Sequence, residues 1–137
     1  MNRIYSSAKL SLLVVFSIVL SGCTLHFSMP AESPMHLSVY QSNQLIFESA
    51  VDLTDPTVIA INDWLSGHSR GWTLGLMTRA PEIYLKGKEF YINVSKRDVS
   101  VKYCIKTKYN CNLWIKKDAE LFVELQKKLH QQHMPHG

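Results

Sequence analysis

Long apolar runs, cysteine clusters and glycine-rich loops are largely missing from this chain. Three cysteines, six glycines and five prolines in 137 residues leave no cysteine-rich zinc pattern and no disulfide-dense scaffold. No phosphate-binding glycine loop and no local paired-carboxylate motif is present, although carboxylates assembled from distant positions would leave no such trace. Internal repeats and low-complexity tracts are also absent. The apolar stretch from Leu10 to Leu20 covers eleven residues, about 16 Å as a helix, whereas a bilayer core needs about 20 residues. A permanent membrane span is therefore a poor reading of it.

What that stretch does fit is an export signal. Arg3 and Lys9 supply positive charge ahead of it, and it stops at Ser21-Gly22, the three-part layout of a cleavable leader. Directly behind stands Leu20-Ser21-Gly22-Cys23, which resembles the lipobox of bacterial lipoproteins: an aliphatic residue, two small residues and a cysteine. The resemblance covers residues 1–23. It implies that the Cys23 thiol receives a diacylglyceryl group, that cleavage removes residues 1–22, and that the freed amine is acylated, typically with palmitate. At about 0.8 kcal/mol per buried methylene, two or three acyl chains make a stable anchor where one would not. In lipoproteins of enteric-type bacteria an aspartate after the lipidated cysteine favours the inner membrane. Thr24 in that place implies the outer membrane, facing the periplasm.

Cleavage leaves 115 residues, enough for one domain with a core of its own. Residues 23–34 are expected to form a lipidated tether, since Ser28, Pro30, Ser33 and Pro34 interrupt any period. Residues 35–137 are expected to form a single small α+β domain with a mainly antiparallel sheet and two packed helices. Two cysteines remain beside the anchor, Cys104 and Cys111. An oxidising compartment favours joining them across the six residues between, and no further ligand stands nearby for a metal.

Hydrophobic spacing places the elements. Leu37-Ser38-Val39-Tyr40 and Leu45-Ile46-Phe47-Glu48 flank a polar turn at Gln41-Ser42-Asn43-Gln44. Thr54-Asp55-Pro56 opens a helix whose stripe is Val58, Ile61 and Leu65, widened by Ile59 and Trp64, with Gly67 as a left-handed stop. Trp72, Leu74 and Leu76 alternate as a strand, as do Ile83 and Leu85, then Phe90, Ile92 and Val94, then Val99, Val101 and Tyr103. Cys104 then falls on the watery face with Ser100 and Lys102, whereas Cys111 shares parity with Leu113 and Ile115. A bulge or register change is expected to reconcile the two. Asp118 caps a last amphipathic helix of about three turns carrying Leu121, Phe122, Leu125 and Leu129, followed by a frayed tail at Pro135 and Gly137.

Chemistry is harder to find. Asp63, Ser66 and His68 include the residue types of a hydrolase, yet no nucleophile elbow accompanies them. His130, His133 and His136 would share a face only if the last helix ran on. Trp64 and Trp72 read as core, and Trp114, out of phase with its neighbours, as a partly exposed recognition residue. Charge is the clearer signal: residues 24–81 hold two basic and five acidic groups, a balance of −3, while residues 82–137 hold eleven and six, a balance of +5. Lys102, Lys106, Lys108, Lys116 and Lys117 cluster around the two late cysteines, where they either attract an acidic partner or keep a sheet edge soluble.

The reading that follows is a noncatalytic envelope lipoprotein displaying a binding domain, in an assembly-accessory, inhibitory or immunity-type role. Its expected partners are the membrane, through Cys23, and an envelope protein or anionic envelope polymer. No cofactor, metal or nucleic acid is implied. The alternatives are an envelope hydrolase without a local motif, or a structural bridge from membrane to polymer.

Overall fold

The computed structural model of the chain describes residues 24–30, 34–76, 80–104 and 111–133. Alternating apolar residues become strands: β1 (Met35–Gln41), β2 (Gln44–Val51), β3 (Thr73–Leu74), β4 (Ile83–Lys86), β5 (Phe90–Val94), β6 (Asp98–Cys104) and β7 (Cys111–Lys117). Helices α1 (Pro56–Gly67) and α2 (Glu120–His133) supply the 3.6-residue periods. The strands form one antiparallel sheet in the order β2-β1-β4-β5-β6-β7-β3. The α+β architecture is thus as the patterning predicts.

Local chemistry explains the turns and caps. Ser42 and Asn43 both take positive φ, 51° and 64°, the conformation that lets a two-residue hairpin follow the strand twist. The Asp55 carboxylate accepts from the backbone N–H groups of Thr57 and Val58, with Pro56 in the first turn, so donors left open at the helix start are satisfied. Asp118 does the same for Glu120 at 2.8 Å. The expected left-handed stop at Gly67 is not used. α1 ends instead at His68, whose N–H donates to the Leu65 carbonyl and whose Nδ1 lies 2.7 Å from the Trp64 carbonyl. That carbonyl can only accept, so Nδ1 carries the proton.

One core joins both helices to one face of the sheet. Val58, Ile61, Leu65, Leu121 and Leu125 meet Met35, Leu37, Ile83, Leu85, Ile92, Val99 and Val101 there. Ile59, expected to widen the α1 stripe, is 44% exposed, and Ala60 is buried in its place. Of the apolar series Trp72, Leu74 and Leu76, only Trp72 reaches the core. Leu74 and Leu76 are 63% and 96% exposed, and only Thr73 and Leu74 pair as strand.

Within the stretch expected as a tether, residues 24–30 pack onto the body. Leu25, Phe27 and Met29 turn inward while Thr24, His26 and Ser28 remain exposed, a period of two laid along the core. Phe27 sits against Trp72 and Tyr103, with ring centroids 4.7 and 5.8 Å away. Backbone bonds fasten it: Leu25 N–H to the Ser69 carbonyl at 2.8 Å, Met29 N–H to Asn62 Oδ1 at 3.3 Å, and the Tyr103 hydroxyl to the Ser28 carbonyl at 2.8 Å. Cys23, residues 31–33 and the tail at 134–137 lie outside the described residues.

Candidate functional site

Antiparallel pairing fixes which side chains share a face. Because β6 pairs with β7 as Val101↔Trp114 and Ser100↔Ile115, Trp114 faces the core while Cys111, Leu113 and Ile115 face away from the helices. Cys104 pairs directly with Cys111, and the two form a disulfide with their Cα atoms 4.1 Å apart. No bulge is needed. The apolar parity of Leu113 and Ile115 had pointed to the core, and it is this assignment that the register reverses. Leu113 is buried to 8% exposure yet stands outside the core cluster, covered on the opposite face.

That opposite face carries neither helix, and its register builds a coherent surface. One rung runs His36, Lys86, Tyr91, Lys102 and Leu113 across β1, β4, β5, β6 and β7. The next runs Ser38, Tyr84, Asn93, Ser100 and Ile115. Tyr84 and Tyr91 lie diagonally across β4 and β5 with ring centroids 5.5 Å apart, and Lys102 Nζ stands 5.4 Å from the Tyr91 centroid. This is cation–π geometry, which orders a lysine without neutralising it. Between the larger side chains, Ser38, Asn93 and Ser100 are buried small polar groups.

Clefts open on both sides of the tyrosine pair. One of about 410 Å³ is lined by His36, Tyr40, Glu48, Tyr84 and Lys86, the other, of about 540 Å³, by Leu74, Tyr91, Lys102, Asn112 and Leu113. Burial, then the neighbouring Tyr91 and Tyr40, push the Tyr84 phenol above its ordinary value. It stays neutral at physiological pH, able to donate or accept a hydrogen bond. The surface therefore offers aromatic faces, phenol groups and flanking ammonium groups. Such a set suits recognition of an anionic or hydrogen-bonding partner and supplies no activated nucleophile.

The sequence-derived candidates divide between faces. Lys102 and Lys117 lie on the open face, while Trp114 and Lys116 lie on the helix side. Trp114 is packed against the core, and Lys116 Nζ donates to the Arg70 carbonyl at 2.6 Å, so neither shares a surface with Lys102. Lys106 and Lys108 lie outside the described residues. Ser66 Oγ donates to the Asn62 carbonyl and His68 Nδ1 to that of Trp64, so these two side chains are not paired as nucleophile and base. His130 is exposed on α2, and His136 is outside the described residues. Among the described residues no group of three or more His, Cys, Asp or Glu is arranged to hold a metal, and no helix is long and apolar enough to cross a membrane.

Known proteins add no relative. No protein family matches the chain, and no curated protein or solved structure is similar to it. The site accordingly rests on its own geometry. Sequence reasoning found Lys102 and missed Tyr84 and Tyr91, which the alternation marks merely as outward positions. Their adjacency comes from the Lys86↔Tyr91 and Tyr84↔Asn93 register.

Proposed function

We propose that this chain is a lipid-anchored protein of the bacterial envelope whose open sheet face holds an acidic protein partner without turning it over, in an accessory, inhibitory or immunity-type role. The observation that carries the binding reading is the Lys86–Tyr91–Lys102 rung beside Tyr84, a fixed pattern of charge and aromatic surface on the face away from both described helices. Tyrosine gives large contact area at low entropic cost, and paired cations steer an acidic surface into register. The anchor reading rests on Leu20-Ser21-Gly22-Cys23, with Thr24 favouring the outer membrane and its periplasmic side.

Crosslinking in the native envelope tests this, comparing wild type with Tyr91→Ala and Lys102→Glu, and with Lys96→Glu as a control. Lys96 is bound to Glu82 at 3.2 Å in the turn between β5 and β6. Both open-face variants should lose a protein adduct that wild type and control retain, and the adduct should weaken as salt rises. An unchanged adduct profile would remove the open face as the binding site. In the same cells, fatty-acid labelling should disappear in Cys23→Ser, and labelling equal to wild type would sink the anchor assignment.

A further inference from the structure

The docked strand at the start of the body limits how far it can stand from a lipid on Cys23. Leu25 is held at the Ser69 carbonyl and Phe27 is buried between Trp72 and Tyr103. Only Thr24 intervenes, so the Cα of Cys23 lies at most about 7.6 Å from that of Leu25, two trans-peptide steps. Acyl chains attached there must enter the bilayer beside the Ser69–Arg70 loop, with no slack to let the body swing away.

The surface at that place has the composition of a lipid contact. The loop leads into β3, the edge strand, on which Leu74 is 63% exposed, with Leu76 just beyond it 96% exposed. Arg70 in that loop is exposed, and Lys116 reaches its carbonyl. The three segments that build this end, residues 24–30, 68–76 and 111–117, contain Arg70, Lys116 and Lys117 and not one Asp or Glu. Two exposed leucines at a sheet edge are otherwise apolar surface left open to water.

We infer that the β3 edge, with Leu74 and Leu76 following Arg70 along it, is a bilayer-contact surface that rests on anionic phospholipid and fixes the body edge-on to the membrane. This rests on the reading of Cys23 as the lipidated residue. Leucines enter the interfacial region while the cations meet phosphate groups, the combination that seats peripheral proteins. It also sets an orientation: β2, the opposite edge, lies six strand spacings away, about 29 Å from β3. The open face then stands upright, with the Tyr91–Lys102 cleft that Leu74 and Leu76 border nearest the lipid and the His36–Tyr84–Lys86 cleft farther from it.

The test uses the full-length, acylated protein in vesicles of phosphatidylethanolamine with phosphatidylglycerol, carrying a photo-crosslinking residue at Leu76 or, as a control, at Ile46 on β2. Both positions are exposed, Leu76 at 96% and Ile46 at 45%. Mass measurement of the N-terminal peptide comes first. If acyl mass is absent, the anchor reading fails and the proposal falls with it. If it is present, position 76 should give roughly tenfold more lipid adduct than position 46, the factor expected for burying about one leucine. Equal yields at the two positions, or adducts at 76 to a second copy instead of lipid, would overturn the membrane-contact assignment while leaving the anchor intact.

Discussion

Trp64 combines two opposed effects at a single residue. Its ring is buried to 7% exposure and stacks on His68 at 4.3 Å, yet its indole Nε1 is enclosed without a hydrogen-bond partner. Truncation to alanine should cost about 3 to 5 kcal/mol through lost contact and a cavity. Trp64→Phe should cost less than about half of that, because it also removes a buried unsatisfied donor. Denaturant unfolding of the two variants measures the difference, and a larger loss in the phenylalanine variant would show that the N–H is satisfied in solution. Tyr103 gives a pH signature instead: burial raises its phenol above the ordinary 10.0. A folded pKa above the unfolded one means that its contribution is intact below pH 10 and is lost as pH rises through the folded value. Tyr103→Phe should flatten the alkaline decline in stability, and phenolate absorbance should lose one late-titrating group.

Among the elements, β6 and β7 show best how register overrides composition. Leu113 and Ile115 are the apolar members of β7, but pairing of Val101 with Trp114 gives the core to the larger ring. The Cys104–Cys111 bond clamps this hairpin at its loop end, across a sequence separation of 7. Closing so short a loop stabilises by roughly 2.5 kcal/mol through restriction of the unfolded chain. Replacing both cysteines with serine should lower stability by about that amount. Amide exchange should rise first in β6 and β7, with the α1 amides following only at global unfolding. Uniform loss of protection across the domain would instead make the bond a support for the whole fold.

At the scale of the whole molecule, the consequential feature is that residues 24–30 belong to the body. Phe27 fills a place between α1 and the β6–β3 end of the sheet, and Leu25 and Met29 pack at its flanks. A body that begins at Pro34 should therefore be less stable than one that begins at Thr24 by about 3 to 5 kcal/mol, the scale of deleting one buried aromatic. A shift in the denaturant midpoint checks this. No shift would mean that the segment only rests on the surface, and the fixed distance between the proposed anchor at Cys23 and the domain would go with it. Phe27→Ala in the longer form should reproduce most of the loss. The inward series Leu25, Phe27 and Met29 was available in the sequence as a short alternation, masked by the prolines and serines that follow it.

Sequence alone determined the elements whose causes are local. Asp55-Pro56 and Asp118 start helices because the capping groups sit within three residues of the donors they satisfy. The strands from Ile83 to Tyr103 follow from strict alternation, and the hairpin at Ser42-Asn43 from two polar residues between apolar runs. The Cys104–Cys111 pairing followed from the two cysteines that remain once Cys23 is set aside. Tertiary structure decided what depends on neighbours distant in the chain. The face of β7 was set by its partner strand, the exposure of Ile59, Leu74 and Leu76 by where the sheet and helices run out, and the docking of Phe27 by the slot between Trp72 and Tyr103. The candidate site belongs to this second kind, because Tyr84, Tyr91 and Lys102 come from three strands and no spacing along the chain records the register that brings them together.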